Sequence, residues 1–207
     1  MIKNLVFDIG GVLADFRIKE FLMEKGLDAE QIRRVLKASL KNPYWEKFER
    51  GEVTEEEALQ AFAKADPEMD GAIRTAFANL DGMLVMKQET IPLLSGLKDA
   101  GYRVFYLSNY SKKAYDECGE SLAFMSYMDS GIVSFRVGMT KPDPAMYQHF
   151  LDLYGLKAEE CVFVDDTEEN VKVARELGFA GIVYRSHKEL EEELEAYGVE
   201  VGQEKSR

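Results

Sequence analysis

Five short apolar runs punctuate the chain: Leu5–Phe7, Val104–Leu107, Gly131–Phe135, Cys161–Val164 and Gly181–Tyr184. Four are apolar almost throughout instead of alternating, the pattern of strands buried on both faces of a parallel sheet. The third, at Ile132–Phe135, fits that pattern least well. Between the runs, apolar residues recur at helical spacing. Thr90–Ala100 carries Ile91, Leu94 and Leu97 and stops at Gly101. Pro144–Tyr154 carries Met146, Tyr147, Phe150 and Leu151 and stops at Gly155, and Glu168–Leu177 stops at Gly178. Glycine commonly closes a helix, because it takes the left-handed conformation without a Cβ clash. Strands alternating with helices predict an α/β fold built on a doubly wound, Rossmann-like parallel sheet.

One block breaks this rhythm. From about Phe16 to Met86 no convincing strand pattern occurs, and helical periodicity runs through Ile18–Lys25, Ala29–Leu40, Thr54–Ala65 and Asp70–Leu80. Thr54 and Glu57 have capping-box spacing, each side chain serving an otherwise unpaired amide of the other. The pattern predicts a discontinuous core domain, 1–15 and 86–200, with a helical cap domain at 16–85 inserted after the first strand. Residues 201–207 are polar and predict a flexible tail. Such an insert sits over the carboxyl ends of the strands, where open α/β sheets bind ligands. Ala14–Arg17 and Gly82–Val85 are candidate hinges. Trp45 and Phe48 are expected to pack within the cap.

Composition narrows the function. The 207 residues carry 38 acids against 26 bases, a formal charge of −12. That excludes a nucleic-acid partner, which calls for a basic face. It permits a small anion, which a few local cations and helix ends can hold. No apolar stretch approaches the ~20 residues of a membrane span. The acid at position 8 argues against a signal peptide. Cys118 and Cys161 lie in separate elements, which fits a reduced, cytoplasmic protein. A monomer or weak homodimer is expected.

Four segments that end or follow strands carry the candidate chemistry: Asp8 with Gly10 and Gly11; Ser108–Asn109; Lys141 ahead of a helix; and Asp165–Asp166 with Asn170. A doubly wound sheet gathers these at one edge. Mg²⁺ prefers hard oxygen ligands, which Asp8, Asp166 and the Gly10 carbonyl supply. Asp8 is then placed to attack phosphorus. Ser108, Asn109 and the amides about Gly10 and Gly11 would bind phosphate oxygens, and Lys141 would neutralise charge developing on them. Asn170, one helical turn past Asp166, is expected to support that ligand or a metal-bound water, with Asp165 as an orienter.

The stretches FDIGGVL (7–13), LSN (107–109), GMTKPDP (138–144) and VFVDDTEEN (162–170) resemble, in order, the four motifs of the haloacid dehalogenase-like hydrolase superfamily. The insert is similar to that superfamily's small helical cap. Its stretch WEKFERGEVTEE (45–56) resembles the branch of anomeric sugar-phosphate phosphatases, which also includes the N-terminal phosphatase domain of epoxide hydrolases. The resemblance implies a Mg²⁺-dependent phosphatase acting on a small phosphorylated metabolite, such as a sugar phosphate, through an aspartyl-phosphate.

One position departs from the superfamily's pattern. Most of its phosphatases carry an Asp two residues after the nucleophile, as general acid and base, and this chain has Gly10 there. Such help is worth about 10²–10⁴-fold. Asp15, Glu46 and Glu49 are candidates to supply the proton instead. Two other functions remain open, a phosphometabolite-binding module with vestigial catalysis and a haloacid dehalogenase.

Overall fold

The computed structural model describes residues 1–201, so the sequence from position 202 onward, most of the expected tail, lies outside the described residues. Seven strands form two sheets: β1 (Asn4–Phe7), β2 (Ala14–Phe16), β3 (Leu84–Met86), β4 (Arg103–Ser108), β5 (Ser130–Val133), β6 (Cys161–Asp165) and β7 (Ala180–Val183). Five run parallel in the order β5-β4-β1-β6-β7, and β2 pairs antiparallel with β3. The architecture is the expected doubly wound α/β sheet.

The strands are apolar on both faces because each face is covered. Leu5 and Phe7 of β1 join one buried cluster, and Val6, between them, joins the other with Phe105, Phe150 and Phe163. Side chains alternate across a strand with period two, so one continuous apolar run feeds two cores.

The helices are α1 (Ile18–Glu24), α2 (Ala29–Leu40), α3 (Pro43–Glu49), α4 (Glu55–Ala65) and α5 (Asp70–Phe77), then α6 (Thr90–Asp99), α7 (Lys112–Glu117), α8 (Ser134–Val137), α9 (Pro144–Tyr154), α10 (Glu168–Glu176) and α11 (His187–Ala196). The first five lie between β2 and β3. Thr54 and Glu57 form the expected capping box at α4, and Asp28 with Gln31 forms another at α2. The α3 helix is absent from the periodicity reading. Its seven residues are too few for a clear period, but Asn42 caps it and Pro43 occupies its first turn, a start signal legible in sequence.

Two expectations are corrected. The segments read as hinges, with no strand between Phe16 and Met86, form the β2–β3 ribbon through which the chain enters and leaves the insert; Ala14 pairs with Met86 and Phe16 with Leu84. Three-residue strands are too short to show alternation. The run at Gly131–Phe135 also stops early, at Val133, and turns into α8. There the buried Ser134 hydroxyl accepts the Tyr110 N–H at 2.8 Å and donates to the Glu49 carbonyl at 2.6 Å. That side chain ties the end of β4 to the insert, so the backbone leaves the sheet at this residue.

The insert has its own aromatic centre. Phe62 is fully buried, with ring centroids 6.3 Å from Trp45 and 5.6 Å from Phe77. Phe62→Ala is expected to cost about 3–5 kcal/mol. Urea denaturation followed by Trp45 fluorescence checks this directly, since Trp45 is the sole tryptophan.

Candidate active site

The sheet itself gathers the acids. Strands proceed outward from β1 to β4 and β5, then return to β6 and β7 on the other side. The crevice at such a reversal is where these sheets hold ligands. Asp8 donates its N–H to the Val164 carbonyl at 2.8 Å, which seats it at the carboxyl end of β1 next to β6. Ligand oxygens of Asp8, Asp165 and Asp166 lie within 4.8 Å of one another.

One cation answers these three acids. Lys141 Nζ lies 2.6 Å from Asp165 Oδ2 and 2.9 Å from Asp8 Oδ1, with the lysine side chain 1% exposed. Burial opposes its charge, but the two carboxylates outweigh burial and hold its pKa above the ordinary lysine value. Burial raises Asp8 to about 6, against the pull of Lys141 and of a hydrogen bond from Ser108. Asp166, at the rim, is pushed up first by local desolvation and then by Asp165. With all three acids ionised, three negative charges face one positive charge, and the imbalance calls for a divalent cation.

The acids differ in how far they are already occupied. Asp165 is fully buried and accepts from Lys141, from the Thr167 N–H at 2.8 Å and from Asn170 Nδ2 at 3.1 Å on both oxygens. A carboxylate offers about four acceptor sites, and these are filled. Asp165 therefore fixes Lys141, as an orienter. Asn170 supports Asp165 and not Asp166, which corrects its expected partner. Asp166 accepts only a long side-chain contact, from Thr167 Oγ1 at 3.4 Å.

Two further residues have backbone partners. Asn109 Nδ2 donates to the Lys141 carbonyl at 3.0 Å, and its Oδ1 accepts the Lys141 N–H at 2.8 Å. This reciprocal pair holds the Lys141 backbone and leaves the second Asn109 N–H uncommitted. The Gly11 N–H donates to the Ala14 carbonyl at 2.8 Å, so that donor is taken. Gly11 is needed for space: its φ is +76°, and a Cβ there would stand 2.2 Å from Asp166 Oδ2. Gly10 is the opposite case, with nothing within 4 Å of an added Cβ.

The three candidate proton donors separate clearly. Asp15 is 61% exposed and paired with Lys87 at 3.1 Å, and it does not belong to the carboxylate cluster. Glu46 accepts from Thr140 Oγ1 at 3.1 Å and pairs with Arg50 at 3.3 Å. Glu49 is held inward. Burial raises its pKa to about 7, against a hydrogen bond from Trp45 and the charge of Lys141, with Asp8 and Glu46 pushing the same way as burial. Glu49 also lines a cavity of about 70 Å³ between the insert and the end of β4, together with Asn109 and Tyr110. Tyr110 follows directly on the LSN stretch but carries no sequence pattern of its own.

Fold and site set a cluster of carboxylates at the strand ends of an α/β sheet that carries a helical insert. The chain matches the haloacid dehalogenase-like hydrolase family over residues 2–178 and belongs to it. A sesquiterpene phosphatase of Aspergillus oryzae is 28% identical over 180 residues, 87% of this chain and 88% of that protein. A drimenol cyclase of Aspergillus calidoustus is 28% identical over 94% of this chain, which spans only 36% of that protein. A haloacid dehalogenase-family enzyme from Bacteroides thetaiotaomicron, solved with magnesium and inorganic phosphate, superposes with a TM-score of 0.69 at 25% identity, covering 90% of this chain and 96% of that one. These similarities make the chain a family hydrolase with phosphatases among its relatives. No helix of the described residues is long and apolar enough to cross a membrane.

The close approach at Gly11 generates a test. Gly11→Ala should displace Asp166 and weaken Mg²⁺ binding by about 10–100-fold in a calorimetric titration. Far-ultraviolet circular dichroism should stay unchanged.

Proposed function

We propose that the protein is a Mg²⁺-dependent phosphatase of a small phosphate monoester, with Asp8 as the nucleophile. The observation that carries this reading is the division of labour among the acids. Asp165 is saturated and holds Lys141, while Asp166 is nearly free of partners and its carboxylate clusters with that of Asp8. The donors fit a hard cation. Asp8, Asp166 and the Gly10 carbonyl would hold Mg²⁺, and a bound ion offsets the repulsion between the Asp8 carboxylate and an incoming phosphate.

Ile9 N–H and Lys141 both bond Asp8 Oδ1, which fixes the carboxylate and leaves Oδ2 as the attacking atom. In the first half-reaction Oδ2 forms a bond to phosphorus while the ester oxygen–phosphorus bond breaks. Lys141 stabilises charge on the phosphoryl oxygens, and Ser108, buried beside Asp8, offers its hydroxyl to one of them. Glu49, protonated, delivers its proton to the departing alcohol oxygen. In the second half-reaction water attacks phosphorus, Glu49 takes the water proton, and Asp8 is released as carboxylate. A pKa near 7 suits both directions of that transfer.

A haloacid substrate is less well supported. Its carboxylate would meet three acids and one lysine already shared between two of them. The dehalogenase reading therefore lacks the cationic pocket that its substrate needs.

Asp8→Asn should lower hydrolysis across a panel of phosphate esters by about 10⁴-fold or more in the presence of Mg²⁺. Equal slow hydrolysis by variant and wild type would end the proposal.

Glu49→Gln should lower the alcohol-release burst for alkyl esters by about 10²–10⁴-fold, and far less for p-nitrophenyl phosphate, whose leaving group needs no proton. Glu49 donates only when protonated, so the wild-type burst should fall as pH rises through about 7. The variant should lack that limb. The charged groups that bear on Glu49 are Lys141, Asp8 and Glu46, and none of them is removed by this substitution.

A further inference from the structure

The cavity beside Glu49 has walls of unusual character for a phosphatase of sugars. Leu22, Val35, Trp45, Phe77, Leu80 and Met83 make up much of its surface. Its polar residues are few, and most are already committed. Ser39 Oγ donates to the Val35 carbonyl, Ser111 Oγ accepts the Ala114 N–H, and Asn109 is paired with the Lys141 backbone. The Glu49 carboxyl takes a hydrogen bond from Trp45 and keeps further acceptor capacity, and the Tyr110 hydroxyl, on a residue only 6% exposed, is buried without a hydrogen-bond partner.

These groups can serve the ester oxygen and one further polar atom. A polyol placed here would leave its remaining hydroxyls unpaired in an apolar enclosure, which is strongly disfavoured. Hydrocarbon gains from the same walls. Glu49 ties the cavity to the carboxylate cluster, because its carboxyl feels the charges of Lys141 and Asp8, although neither of those residues lines the cavity. Its volume is about 70 Å³, and roughly 10–15 Å³ already admits one water, so the space can take a small apolar group.

We propose that the alcohol half of the substrate is a hydrocarbon group, seated in this cavity with its phosphate directed to Asp8. The proposal rests on the phosphatase reading for its chemistry, but its binding consequence can be measured without turnover. It replaces the sugar phosphate suggested by the resemblance of the insert with an amphiphilic phosphate monoester.

Alkylphosphonates keep a charged head and cannot be hydrolysed at an ester bond. With Mg²⁺ present, calorimetric titration of the methyl to octyl series should show Kd falling about fourfold per methylene over its shorter members. A trihydroxylated pentylphosphonate should bind no tighter than methylphosphonate. Ala76→Leu, which adds a side chain to the cavity wall, should compress the gain from methyl to pentyl by at least tenfold. A flat series, or tighter binding by the hydroxylated chain, overturns the proposal. Binding that climbs with chain length while pentyl phosphate goes unhydrolysed upholds this inference and removes the phosphatase reading. Ready hydrolysis of esters with flat binding does the reverse.

Discussion

A single buried lysine shared by two aspartates organises the catalytic edge of this molecule. Isolated, a charge as deeply buried as Lys141 would be ejected or neutralised; breaking such a pair from one side typically costs about 3–5 kcal/mol. The chain meets that demand with redundant support. Asp165 is held by Thr167 and Asn170, and Asn170 in turn receives the Tyr147 hydroxyl on its carbonyl. Asn109 clamps the Lys141 backbone from β4. Residues at the ends of β1, β4 and β6 and in α10 thus meet around Lys141, two of them on its ammonium group. Asp8 is held by the same lysine.

Much of this was legible in the residues alone. The long apolar strands and the glycine-terminated helices declare their periods over enough residues to be read, and the acids at strand ends follow from the sheet they imply. The short ribbon β2–β3 and helix α3 were not legible by period, because three or seven residues do not complete one. The division of roles within Asp165–Asp166 was read in part. Adjacent residues on a strand end point to different sides, so one faces Lys141 and the other the open rim, and Asn170 follows the buried one. Helical spacing from Asp166 could not reveal this, because Asp165 precedes α10 and reaches its first turn through the Thr167 N–H. The shifted character of Glu49 was not legible either: nothing in WEKFE distinguishes an inward acid from a solvated one.

The site joins two environments that seldom sit together. On the core side lie three carboxylates and a lysine, a place for a cation and an anion. On the insert side lies a hydrocarbon-lined hollow with almost no free polar groups. Glu49 stands at the seam. Its backbone carbonyl is anchored to the core through Ser134, while its side chain belongs to the insert. The apolar neighbours that raise its pKa are the same walls that would receive the alcohol, so specificity and proton supply have a common physical origin.

Gly10 gives this arrangement a further meaning. The space beside it would admit a carboxylate on a rigid strand-end loop, so steric crowding is no reason for its absence. Under the proposed mechanism the nucleophile stands on the core and the proton source on α3 of the insert, so one reaction is divided between two parts of the chain. A substrate of that mechanism has to reach both at once, and this requirement selects among metabolites without any extra recognition element.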